Sequence, residues 1–130
     1  MKVVITLLIL FSFISCKDNN ITDIEKIGMV DIYKSVIPDT SNINTSVGIK
    51  TYAVAYNGCW NNLYFELTKI NDFEYSLKAF GTLSMNSIAC PDVLVYKDTT
   101  IVFTPIAVGI YKFHISKMNT EVVIDTMVVR

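Results

Sequence analysis

Apolar and polar positions alternate with a period of two over most of this chain from Met29 onward. Leu63, Phe65 and Leu67 alternate with Asn62, Tyr64, Glu66 and Thr68; beyond Asn71-Asp72, Phe73, Tyr75, Leu77 and Ala79 alternate with Glu74, Ser76 and Lys78. Successive side chains of a strand point to opposite faces, so each run predicts a strand with one apolar face. Asn71-Asp72 is a two-residue connection of the kind hairpins use, which makes 63–83 a predicted hairpin. Strands are also predicted at 29–37, 47–56, 110–116 and 121–129, with short apolar runs at 93–96 and 101–104 around the polar Lys97 to Thr100. In the first of these, Met29, Tyr33 and Ile37 share one face and Val30, Ile32 and Val36 the other. In 110–116, Tyr111, Phe113 and Ile115 oppose Lys112, His114 and Ser116. Pro38 to Asn42, Asn57-Gly58 and Lys117 to Thr120 carry turn chemistry, Pro105 to Gly109 bends the chain, and Ser84 to Asp92 is a loop.

Seven or eight short strands about 8 to 15 residues apart, with no helical run, predict an all-β fold. The expected architecture is an antiparallel β-sandwich, immunoglobulin-like, following an N-terminal leader. Seven Tyr and seven Phe, with many Val, Ile and Thr, favour strands. A parallel α/β sheet is excluded because no helical segment alternates with the strands. Pro105-x-x-x-Gly109-x-Tyr111-x-Phe113, then a turn and a last strand, resembles the final hairpin of immunoglobulin-like bacterial surface domains.

The first sixteen residues follow a different rule. Met1-Lys2 opens with a positive charge, and Val3 to Ile14 is apolar except for Thr6 and Ser12. A membrane-crossing helix needs about 20 apolar residues, so this run is too short to span and fits the central part of a secretory signal. Phe13 is too large for an ordinary signal-peptidase site, whereas Ser15-Cys16 is a small residue followed by cysteine. The segment resembles the bacterial lipoprotein signal, with Phe13 standing where leucine is usual. That resemblance implies cleavage before Cys16, a diacylglycerol on its thiol and an acylated amino terminus, palmitate being the expected chain. Two or more chains anchor a protein stably where one does not. The expected organisation is a removed signal peptide at 1–15, a lipid anchor and tether at 16–28, and a β-sandwich domain at 29–130. The expected location is the cell envelope, on the outer membrane, facing either the periplasm or the surface.

Composition limits the partners. The leader inflates the mean hydropathy of +0.42. Without Lys2, ten basic side chains face twelve acidic ones, scattered singly. No basic stripe points to nucleic acid, and the only membrane contact expected is through the lipid.

With Cys16 consumed by lipid, Cys59 and Cys90 are an even pair, which in an exported domain predicts a disulfide; the alternative is two buried thiols. Asn57-Gly58-Cys59 with Cys90 also resembles small secreted lipoproteins carrying one cysteine pair. One histidine and two cysteines are too few for a structural zinc site, so neither metal nor cofactor is expected.

Candidate chemistry is sparse. Glu66 and Glu74 could form an acid–base pair if the hairpin brought them together, but both are expected on the solvated face. His114, the one histidine, shares a face with Lys112 and Ser116, as an exposed strand histidine does. No phosphate loop or hydrolase motif is present. Asn20-Ile21-Thr22 and Asn44-Thr45-Ser46 match a glycosylation triplet that the bacterial reading leaves idle. The group with binding character is Trp60, Asn61, Asn62 and Tyr64, with Tyr52 and Tyr56 nearby: rings for the apolar face of a sugar and amides for its hydroxyls. Against this, Trp60 could pack in the core beside the disulfide. The expected function is a non-catalytic, lipid-anchored envelope protein of structural, adhesive or binding role. Alternatives are a glycan- or peptide-binding module and an immunoglobulin-like protease inhibitor.

Overall fold

The computed structural model describes residues 24–85 and 89–130; the predicted leader and Cys16 lie outside them. Eight strands form one mixed sheet curled as a half-barrel, with no helix among the described residues. They are β1 (Glu25–Val36), β2 (Thr40–Ser41), β3 (Val47–Ala55), β4 (Trp60–Asn71), β5 (Glu74–Ser84), β6 (Val95–Phe103), β7 (Gly109–Ser116) and β8 (Val122–Val129). Along the sheet the order is β2-β8-β7-β5-β1-β3-β6, with β4 paired to β5.

β5 is the hub. β4 pairs with it from Asn71↔Glu74 to Trp60↔Leu83, which occupies one edge throughout. Its other edge is shared: Glu74 to Leu77 pair with β7, and Ala79 to Ser84 pair with β1. β1 is shared in turn. Glu25 to Val30 lie on β5, whereas Asp31 to Val36 pair with β3. The sheet therefore folds over at Val30–Asp31 and packs on itself.

The apolar faces predicted by alternation meet inside this fold. Phe103 on β6 touches Tyr75, Tyr111 and Phe113, with ring centroids 4.9, 5.6 and 5.4 Å away. Val30, Ile32, Ile49, Leu77, Ile115, Met127 and Val129 close the core around them. Each such side chain contributes about 1.5–3 kcal/mol on burial, and offset or edge-on aromatic pairs add about 0.5–1.5 kcal/mol.

Several expectations need correction. The sheet is not purely antiparallel, since β5–β7 and β2–β8 are parallel pairs. β1 starts at Glu25, four residues before the predicted Met29, because its first half has a partner in β5. β2, two residues on β8, lies inside the predicted turn at 38–42. The runs at 93–96 and 101–104 are one strand, β6, in unbroken register with β3 from Ala55↔Val95 to Val47↔Phe103. The polar Lys97, Asp98 and Thr100 are tolerated because β6 pairs on one side only and backbone bonds, not side chains, carry the pairing. Val36 does not share a face with Val30 and Ile32. A bulge between Ile32 and Lys34 shifts the alternation, leaving Val36 exposed.

Candidate functional site

Cys16 lies outside the described residues. Cys59 and Cys90 meet as expected, their Sγ atoms 2.10 Å apart and their Cα atoms 5.2 Å apart. Asn57 positions Cys59 through a bond from the Cys59 amide to its Oδ1 (3.1 Å), and the Gly58 amide donates to Pro91 O (2.8 Å). The pair ties the start of β4 to the loop before β6, two strands that each have a single partner in the sheet, as β2 also does.

The predicted binding group is divided between two faces. Alternation counted back from Leu63 would put Trp60 outside with Tyr64. A second bulge, between Asn61 and Tyr64, reverses it, with Asn62 in the left-handed region at φ 47°. Trp60 therefore points inward, half-buried against the core. Its indole covers Gly28 and Gly81, which are register partners; a Cβ on either would come within 2.8 or 3.1 Å of the ring. Asn61 faces outward, its amide donating to Ser84 Oγ (2.8 Å), whose hydroxyl donates to Glu25 (3.4 Å). Tyr64 stacks on Phe80 at 5.6 Å on that same outer face. Asn62 is exposed.

The other candidates are also placed. Glu66 pairs in register with Lys78, and Glu74 with Asn71, so the two carboxylates are separated by four positions of β5, about 13 Å. That exceeds the span of a glycosidase pair. His114 lies on the face of Lys112 and Ser116 but is not the exposed histidine expected there: its side chain is 25 % exposed and its Nε2 is buried 3.3 Å from Glu74 Oε2, with Lys112 4.0 Å from the same carboxylate. Among the described residues no three His, Cys, Asp or Glu side chains gather as a metal would require.

What sequence reasoning missed is on the outer face of β1, β3 and β6. Tyr33 points outward, opposite the buried Ile32, and the bulge at Ile32/Lys34 puts Lys34 on the outer face beside it. Tyr33 meets Tyr52 of β3 at 6.1 Å and Tyr96 of β6 at 5.9 Å, the latter edge-on at 81°. Lys34 Nζ lies 5.5 Å from the Tyr52 centroid and occupies one side of that ring. Tyr33 and Tyr96 are 47 % and 60 % exposed, and Val54, the register partner of Tyr96 on β3, is buried. Tyr56 follows directly after β3 and is 52 % exposed.

An open concavity of about 480 Å³ adjoins this face, lined by Asp31, Tyr33, Tyr56 and the β7–β8 turn from Lys117 to Glu121. It forms where β1 has left β5, so that the edge of β1 away from β3 is uncovered. The turn fills part of the gap. Lys117 Nζ donates to the Ile32 carbonyl, and the Met118 amide to Asp31 Oδ1 (3.2 Å). Tyr56 donates its hydroxyl to Asp31 Oδ2 (3.1 Å), and this bond, then burial and the aspartate's charge, raises the phenol above the ordinary tyrosine range. Asn119 and Glu121 hold each other, amide to Oδ1 at 3.2 Å and Nδ2 to Oε2 at 3.4 Å. The polar rim is thus oriented by its own bonds. The sequence signal for it was four tyrosines at 33, 52, 56 and 96, visible only once three strands are placed side by side. No family model, curated protein or solved structure matches this chain.

Proposed function

We propose that the chain is a lipid-anchored cell-envelope protein whose strand domain binds a ligand and does no catalysis. The observation that carries the binding role is the exposed tyrosine face beside a concavity whose rim is already oriented. A volume of about 480 Å³ falls in the range of small-ligand sites, roughly 300–1,000 Å³. Groups fixed before binding lose less entropy when the ligand arrives. Catalysis is left out because Glu66 of β4, opposite Lys78, lies four register positions from Glu74 of β5.

The anchor rests on Met1-Lys2, the apolar run and Ser15-Cys16. Export is consistent with Cys59 and Cys90 lying at disulfide distance. An immunoglobulin-like kinship belongs to the same proposal. Its support is Tyr111, buried near the start of β7, whose hydroxyl donates to Ala107 O and accepts from Ala107 N, both at 3.1 Å, as in a tyrosine corner.

The anchor is tested by expressing the full chain and its Cys16→Ser variant in a bacterial host with labelled palmitate. Wild type should carry label and enter the detergent phase; the variant should carry none and stay aqueous or unprocessed. A Cys16→Ser protein of mature mass that still partitions into detergent would sink the anchor.

A further inference from the structure

We infer that the outer face of β1, β3 and β6 is a carbohydrate-binding surface, on which Tyr33 and Tyr96 stack on sugar rings while Asp31 and Asn119 take hydroxyls. This deepens the binding role proposed above by naming the ligand class.

Three observations lead there. Tyr33 and Tyr96 stand edge to face, so their planes make an angular cradle instead of a flat apolar patch. A pyranose has the matching character, with C–H faces that lie on aromatic rings and equatorial hydroxyls that need donors and acceptors at the edge. Those groups are present and immobilised. Asp31 accepts two bonds, from Tyr56 and Met118, and so keeps about two of its four acceptor positions. Asn119 can still donate and accept beyond its bonds to Glu121.

The charge balance excludes the main competitors. Asp31 and Glu121 stand with Lys117 at the concavity, and Lys34 is already engaged with Tyr52. Such a mixed, near-neutral rim offers no phosphate track for nucleic acid. A peptide groove would supply apolar anchor pockets, whereas the lining here is Tyr, Asp, Lys, Asn and Glu with Met118 alone aliphatic. Shielding Val54 explains why rings lie on this face. It does not require that Tyr33 and Tyr96 keep half their surface in solvent.

The test applies the full chain, purified in detergent, to a printed oligosaccharide array and, in parallel, to a random-peptide array. The best-bound oligosaccharide is then titrated by NMR. Tyr33→Ala and Tyr96→Ala should each weaken it by about tenfold or more, with thermal melting checked for each. Tyr33→Phe and Tyr96→Phe keep the ring and should retain most of the affinity, which separates stacking from misfolding. Sugar binding that survives loss of both rings, or that depends on Tyr64 instead, overturns the assignment. Peptides captured through the same tyrosines would overturn the ligand class while leaving a binding role. Silence on both arrays would remove the binding role as well.

Discussion

The indole of Trp60 lies directly over Gly28, so close that a Cβ there would come within 2.8 Å of its outer ring carbon. Gly28 in turn faces Gly81 across β1 and β5, and the ring spans both. Two side chains are absent so that one large one can lie close against the backbone.

Gly28→Ala therefore sets two effects against each other. Alanine restricts the unfolded chain and would favour the strand by about 0.4–1 kcal/mol. Overpacking against a rigid indole costs about 1–3 kcal/mol, and should win. Chemical denaturation should show net destabilisation by Gly28→Ala that is much smaller in a Trp60→Leu background. Equal losses in both backgrounds would show that the ring and the glycine are not coupled.

The link between Cys59 and Cys90 closes a loop of 31 residues and joins the start of β4 to the approach to β6. On the chain-entropy model this contributes about 3–4 kcal/mol. Replacing both cysteines by alanine should lower the denaturation midpoint accordingly, and unreduced protein should offer neither thiol to an alkylating reagent. Two alkylatable thiols in the exported, unreduced protein would refute the bond.

Tyr56 should ionise above the usual tyrosine value because its hydroxyl donates to Asp31. A folded pKa above the unfolded one means the contribution is whole below the unfolded value and is lost as pH rises through the folded one. Ultraviolet phenolate titration of wild type against Tyr56→Phe isolates this residue. Asp31→Asn should bring its transition back down, and Tyr56→Phe should remove part of the loss of stability at alkaline pH. An unchanged Tyr56 titration in Asp31→Asn would show that the bond is not what raises it.

Sequence by itself determined the local matters. Side chains alternate with period two on any strand, so the hairpin of β4 and β5, the apolar face of β7 and the all-β character followed from spacing alone. Cysteine parity likewise foretold the Cys59–Cys90 pair. Tertiary structure decided which strands are neighbours, because alternation says which face is apolar and nothing about which edge pairs with which. The parallel β5–β7 pair and the division of β1 between β5 and β3 were decided there. So were the bulges at Ile32/Lys34 and Asn61/Tyr64, each adding one residue to one strand of a pair and reversing its alternation. One bulge turned Trp60 inward, away from Tyr64, and the other put Lys34 on the outer face beside Tyr33, over the ring of Tyr52. The candidate site owes its existence to the pairing of β3 with both β1 and β6, since its rings come from positions up to 63 residues apart along the chain.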